Sequence, residues 1–232
     1  MRIADMTWMQ VEAYLDSDDR CVIPLGSTEQ HAYLSLATDS ILSERVANEA
    51  ADPLGVPVYP TLAYGITPYF MAYPGTVTLS VTTYEKVLTE LLASVRRHGF
   101  RRIVVVNGHG GNSPARPAAE AWAANREGVA LRWHDWWKAP GVRAAVDLVD
   151  PDASHASWME TFPWTRVAGV SPPAGHKAPV DLSERDGISL SGLRTVIGDG
   201  SFGGDYERSE EEMSALWEIA VRETRACLVE GW

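Results

Sequence analysis

Cysteine is scarce in this chain: two in 232 residues, Cys21 and Cys227, with no CxxC pair. That excludes a disulfide framework and fits thiols kept reduced in a cytoplasm. Long apolar runs are missing as well. None approaches the ~18 residues a membrane span needs, and the opening Met1 to Trp8 has no apolar signal-peptide core. A soluble, cytoplasmic protein is the expectation. Cations are few, 20 Lys and Arg against 31 Asp and Glu, for a formal net charge of −11 with no basic run. Nucleic acid and anionic membranes are therefore poor partners. No internal repeat or low-complexity tract occurs, and the length fits a single domain over residues 1–232 that buries about 70% of its unfolded surface.

What is present alternates in period. Thr7 is placed to cap a short helix through Val11 and Leu15, and the apolar run Cys21 to Leu25 reads as a buried strand ending at Gly26. A helix from about Thr38 to Ala51 follows, then a strand from Val56 to Leu62 and a long aromatic loop, Tyr64 to Thr76. Such loops are functional more often than short ones, so this one is either packed surface or a pocket wall. Val77, Leu79 and Val81 alternate as a strand, a helix runs from about Thr83 to His98, and Gly99 ends it. Ile103 to Val106 reads as a central parallel strand, followed by a helix opening at Pro114 and a strand from Val129 to Trp133. The fold class is α/β: a three-layer α/β/α sandwich with a mostly parallel central sheet. Near the end, Ser209 and Glu212 spell a capping box for a last amphipathic helix.

Three constellations carry chemistry. Glu29 and His31 lie just past the carboxyl end of the first strand, where open α/β sheets place their sites. Their i, i+2 spacing points both to one side if the chain stays extended. Asp39 enters from the next helix, as a ligand or merely as its cap. Asn107 to Asn112 reads Asn-Gly-His-Gly-Gly-Asn, and its glycines let His109 approach whatever sits at the strand end. This turn lacks the GxGxxG spacing and the Walker lysine of a phosphate loop. His155 and Glu160, if helical, stand about 140° apart around the axis, which on spacing alone favours a surface helix with a solvated carboxylate. His176 reads as a surface histidine. Trp133, Trp136 and Trp137 are candidates for an aromatic wall or for core.

Together these motifs resemble the creatininase family of metal-dependent amidohydrolases: Glu29-Gln30-His31 with Thr38-Asp39, then Asn107 to Asn112, then His155 with Glu160-Thr161. The resemblance implies a domain with two divalent metal ions, zinc or manganese with Fe²⁺ also compatible, a small-molecule substrate, and a homo-oligomer, often a hexamer. It implies that Asp39 bridges the ions, that Glu29 and His109 hold one, and that His31 holds the other. Creatininase has a ligand Glu where this chain has Gly111, and Glu160 is the candidate to replace it. His155 and Glu160 are the candidate catalytic residues, His155 as proton donor to a leaving nitrogen. The resembled pattern reads E-Q-H-G-x-H-L-P. Here Ala32 follows His31, Leu34 replaces the second histidine, and Pro151 stands where creatininase has a substrate-facing tryptophan. Creatinine itself is therefore not the expected substrate. The expected activity is cleavage of a C–N bond in a cyclic or linear amide. The alternatives are a formamide, a peptide end, the C–C bond of a cyclic diketone sugar, or metabolite binding without catalysis. The loops Pro172 to Lys177 and Gly198 to Gly204 are expected to rim the pocket together with a neighbouring subunit.

Overall fold

Alternate residues of two short apolar strands feed two separate hydrophobic layers, and the architecture follows from that. The computed structural model describes residues 1–183 and 187–232. In it β1 (Arg20–Leu25), β2 (Arg102–Asn107) and β3 (Ala130–Asp135) form a parallel sheet in that order. The α-helices are α1 (Trp8–Leu15), α2 (Thr38–Ala51), α3 (Val81–His98), α4 (Arg116–Ala124), α5 (Pro140–Val149), α6 (Leu190–Ile197) and α7 (Glu210–Val229). Val22 of β1 and Val104 and Val106 of β2 pack on one side with Leu42 and Val46 of α2, Val142 of α5 and Leu216 of α7. Cys21, Ile23, Leu25, Ile103 and Val105 face the other way, onto Leu88 and Leu92 of α3 and Ala119 and Trp122 of α4. Each buried aliphatic side chain contributes about 1.5–3 kcal/mol, so both faces hold the sheet. The result is the expected three-layer α/β/α arrangement.

Several expected elements differ. Residues 56–62 join β1 only through bridges at Val58 and Leu62, because Pro57 and Pro60 lack the N–H groups a continuous ladder needs. The strand expected at Val77 to Val81 reduces to bridges of Val77 with Thr28 and Thr78 with Gly65. Helix α3 starts at Val81 rather than Thr83, because the Ser80 hydroxyl caps it by accepting from Thr83 N at 3.2 Å. After β2 the chain makes a 3₁₀ turn, Gly110–Ala115, before α4. The capping box of α7 is formed, Glu212 N donating to Ser209 Oγ and Ser209 N to Glu212 Oε2.

In register, Leu25 pairs with Asn107 and Asn107 with Asp135. The three strands therefore end level, and the segments that follow them meet at one edge. Beyond α5 the chain is mostly irregular and folds over that edge, with a short antiparallel pair of β4 (His176–Lys177) and β5 (Gly204–Asp205). No helix among the described residues is long and apolar enough to cross a membrane.

Candidate metal centre

Two glycines decide how closely α2 approaches the sheet. A Cβ on Gly26, just past β1, would overlap Ser40, and one on Gly108, just past β2, would overlap the backbone oxygen of Asp39. Without side chains there, the first turn of α2 rests against both strand ends and delivers Asp39 between them. Asp39 is not a cap: Ala37 holds that position and the cap has no side-chain hydrogen bond.

Three histidines converge on this point and share one design. His31 has Nδ1 3.3 Å from the carbonyl oxygen of Glu29, His109 has Nε2 3.0 Å from that of Ile66, and His155 has Nε2 3.1 Å from that of Gln30. A carbonyl only accepts, so the nitrogen facing it carries the proton. The opposite nitrogen of each ring faces the carboxylates and is the one that binds an ion once it is deprotonated. His31 Nε2 lies 3.0 Å from Asp39 Oδ1 and 3.9 Å from Glu160 Oε2. His109 Nδ1 lies 2.9 Å from Asp39 Oδ2 and 3.3 Å from Glu29 Oε1, and His155 Nδ1 is 3.8 Å from Glu29 Oε1. Ser27 Oγ donates to Asp39 Oδ2 at 2.7 Å, and Ala156 N donates to Glu160 Oε2 at 2.7 Å.

The electrostatics of the metal-free chain follow from burial. Glu29, Asp39 and Glu160 are all buried, and among the described residues their only ion-pair partners are histidines. Burial disfavours the His31 imidazolium, but the Asp39 carboxylate outweighs it and the pKa is pushed up to about 10. His109 is likewise raised against burial, by Glu29 and Asp39. Burial would raise Asp39, yet the two imidazoles hold it far below the carboxylate range. Glu160 goes the other way: burial pushes it up to about 7 despite His31. Burial, reinforced by the charge on His31, drives His155 well below its ordinary value, so it is neutral.

A divalent cation fits this donor set. Glu29 Oε2 is buried and accepts no hydrogen bond, and an orphaned carboxylate oxygen of that kind costs several kcal/mol unless a cation meets it. Ligand atoms of Glu29, Asp39 and His109 lie within 4.8 Å of one another, as do those of His31, Asp39 and Glu160, so Asp39 belongs to both groups. No carboxylate fits at 111, because a Cβ there would overlap the Ile66 carbonyl oxygen and the His109 ring. Glu160 is the third carboxylate that the described residues bring to this cluster, beside His31 and Asp39.

The segment carrying His155 and Glu160 corrects the surface-helix expectation. Ala156 sits at φ 56°, which breaks any helix, and only Trp158–Glu160 forms a 3₁₀ turn. The fold-back buries Glu160 to 9% exposure. Ala32, directly after His31, is also left-handed at φ 48°. Such a conformation costs a non-glycine residue about 1–2 kcal/mol. The tryptophan wall is corrected too: Trp133 and Trp136 are core, and only Trp137 lines the cavity. Phe70 from the long aromatic loop and Phe202 line it as well, with ring centroids 4.9 and 4.8 Å from that of His155. The 198–204 loop thus contributes to the pocket of its own chain. His176 is exposed, as expected, among Asp150, Asp152 and Asp205.

Sequence reasoning gave no role to Gln30. Its Nε2 donates to the Gly200 carbonyl at 3.0 Å, tying the 198–204 loop to the segment between Glu29 and His31. Its place between Glu29 and His31 was the available signal. The cavity in front of the carboxylates measures about 820 Å³ and also receives Lys138 and Arg143.

The family described as "Creatininase: Creatinine amidohydrolase" matches residues 4–228. A mycofactocin precursor peptide peptidase of Mycolicibacterium smegmatis is 36% identical over 141 residues, 58% of this chain and 53% of that protein. The chain thus spans about half the length of that relative. The creatinine amidohydrolase of Pseudomonas putida is 32% identical over 179 residues, 68% of each chain. Among solved structures, a manganese creatininase superposes with a TM-score of 0.79 at 21% identity, covering 99% of this chain and 97% of that one. A Zn–Zn creatininase variant gives 0.77 at 20%, covering 99% and 97%. At those identities the structures speak for the fold, and the family match speaks for descent: the chain belongs to the creatininase family, whose named members are hydrolases.

Proposed function

We propose that this chain is a dinuclear-metal amidohydrolase that adds water across the C–N bond of a cyclic or linear amide, releasing an acid and an amine. The observation that carries the reading is Asp39, whose two oxygens face two different histidines, His31 at 3.0 Å and His109 at 2.9 Å. A carboxylate shared by two ions needs that disposition. On this reading Glu29, Asp39 and His109 hold one ion, and His31, Asp39 and Glu160 the other, Zn²⁺ or Mn²⁺ with Fe²⁺ also compatible. Bound there, the ions supply Lewis acidity, polarising a carbonyl and lowering the pKa of water toward about 7. His155, neutral in its buried position, takes a proton at Nδ1 and passes it to the leaving nitrogen. The Gln30 carbonyl holds its Nε2–H in place, and Phe70 and Phe202 keep water from the ring.

The cavity supports a substrate larger than one small ring. Its volume of about 820 Å³ lies near the top of the range of about 300–1,000 Å³ typical of ligand pockets. A peptide end fits that space, in keeping with the peptidase among the relatives. The family resemblance also implies a homo-oligomer, often a hexamer. Exposed Trp8, Met9 and Leu148 are the kind of apolar surface such an assembly covers, and light scattering gives its stoichiometry.

The test is elemental analysis of protein purified without chelator, followed by a panel of lactams, amides and short peptides assayed with and without EDTA. Two ions per chain and amine release abolished by EDTA are expected. A chain that takes up no metal even from added Zn²⁺ or Mn²⁺ would overturn the reading.

A further inference from the structure

The cavity lining carries two cations that the metal centre does not use. Lys138 follows Trp137 at the end of a 3₁₀ turn, with its Nζ 5.6 Å from the centre of the Trp137 ring. That ring lies over Gly110, where a Cβ would be 3.8 Å from Trp137 Cζ2. Lys138 thus stands one ring away from the residue after His109. Lys138 is an exposed residue, and no ion pair among the described residues includes it. Arg143 of α5, which lines the same cavity, places Nη1 4.0 Å from Sδ of Met159, the residue before Glu160. Its other nitrogen pairs with Asp147, which is 54% exposed. An exposed i, i+4 pair of that kind is worth only about 0.3–0.5 kcal/mol, so it yields readily to a better partner.

Charge balance gives these cations a direction. Three carboxylates against two divalent ions already leave the centre net positive, and Lys138 and Arg143 add to it. The chain as a whole is at −11. A cationic cleft in an acidic surface, walled by Phe70, Leu193, Ile197 and Phe202, concentrates field lines and draws an anion inward. A substrate that spans from the ions to the two cations lies against the apolar and aromatic side chains of this lining, which an apolar or aromatic spacer between anion and amide matches.

Resting on the hydrolase reading above, we propose that Lys138 and Arg143 form an anion subsite at the cavity wall. It binds a carboxylate carried by the substrate on the far side of an apolar or aromatic spacer from the scissile amide. The substrate class is an amide of an acid-bearing apolar molecule, with the carboxylate read by a lysine and an arginine rather than by the metal ions.

Two probes separate the subsite from the metal centre: 4-carboxybenzohydroxamate and its neutral partner 4-carbamoylbenzohydroxamate. Both reach the ions through the hydroxamate, and they differ only at the distal group. Titration into Zn²⁺-loaded protein by calorimetry is expected to show the carboxylate probe binding about tenfold tighter at low salt, with the preference shrinking as ionic strength rises. In Lys138→Met with Arg143→Met, the two probes are expected to bind alike. In Lys138→Glu the preference should reverse, which also guards against a double variant that folds poorly. Equal binding of both probes to the wild type overturns the subsite and leaves the metal centre standing. A preference that survives in the double variant overturns it as well. Failure of both probes to bind zinc-loaded wild type overturns the hydrolase reading, and the subsite with it.

Discussion

Two clusters in this molecule offer the same ligand types, and only one of them is wholly buried. Asp150, Asp152 and His176 bring their atoms within 4.8 Å of one another, as the groups around Asp39 do. At the second cluster, however, each residue has partners within the fold. Asp150 accepts from the backbone of Asp152 and Asp205, and His176 places one ring nitrogen 3.0 Å from Asp205 and the other 3.1 Å from Asp152. His176 is 43% exposed there. The cluster fastens the β4–β5 pair to the segment after α5. At the first cluster the histidines spend only their outer nitrogens on carbonyls, and Glu29 keeps a buried oxygen with no partner. Residue type does not distinguish the two sites; burial and unspent lone pairs do.

The largest effect should come from the carboxylate common to both halves of the buried cluster. Asp39→Ala should lose most of both ions by elemental analysis and lower hydrolysis of any responsive amide by more than about a hundredfold, the upper cost of losing even an outer partner of a ligand. Retention of two ions by this variant would break the comparison.

A second test uses protons. In the metal-free chain His31 is raised to about 10, so between its unfolded value of about 6.5 and 10 it is protonated and must lose that proton to bind an ion. Apparent metal affinity should therefore strengthen about tenfold per pH unit per proton released in that window, as read by calorimetry in buffers of different ionisation enthalpy. The same proton stabilises the metal-free fold: its contribution is complete below about pH 6.5 and disappears as pH rises through 10. Affinity independent of pH across that window would show that these protons do not compete with metal.

The smallest effect belongs to the exposed cluster. Asp205 first, then Asp152, raises the pKa of His176, so its ion pairs help the fold below the ordinary histidine value and are lost as pH rises through the raised one. His176→Ala should leave metal content unchanged and shift the thermal midpoint little. Loss of metal in that variant would show that the exposed cluster also serves an ion.

Much of the buried site was legible because it is local. Glu29, His31 and Asp39 fall within eleven residues at the end of a strand whose apolar run declares itself, and the glycines around His109 announce a close approach. His155 and Glu160 were legible only through the family pattern. The helical period suggested a surface, and the left-handed Ala156 that folds Glu160 inward has no signature in alanine itself. Trp136 and Trp137 are adjacent in one turn, yet one is core and the other lines the cavity, a distinction set by packing on α7 and Gly110. The strand expected over 56–62 was a misreading for which Pro57 and Pro60 were the available signal.

The left-handed alanines bear on how kinship is measured. Where the resembled pattern has glycine after the first histidine, this chain has Ala32, and counting letters scores a mismatch. The backbone at Ala32 is nonetheless one that glycine adopts freely, since its φ is 48°. Ala32 and Ala156 together hold on the order of 2–4 kcal/mol of strain, which the rest of the fold offsets. Glycine at either position would release part of it without altering a single ligand.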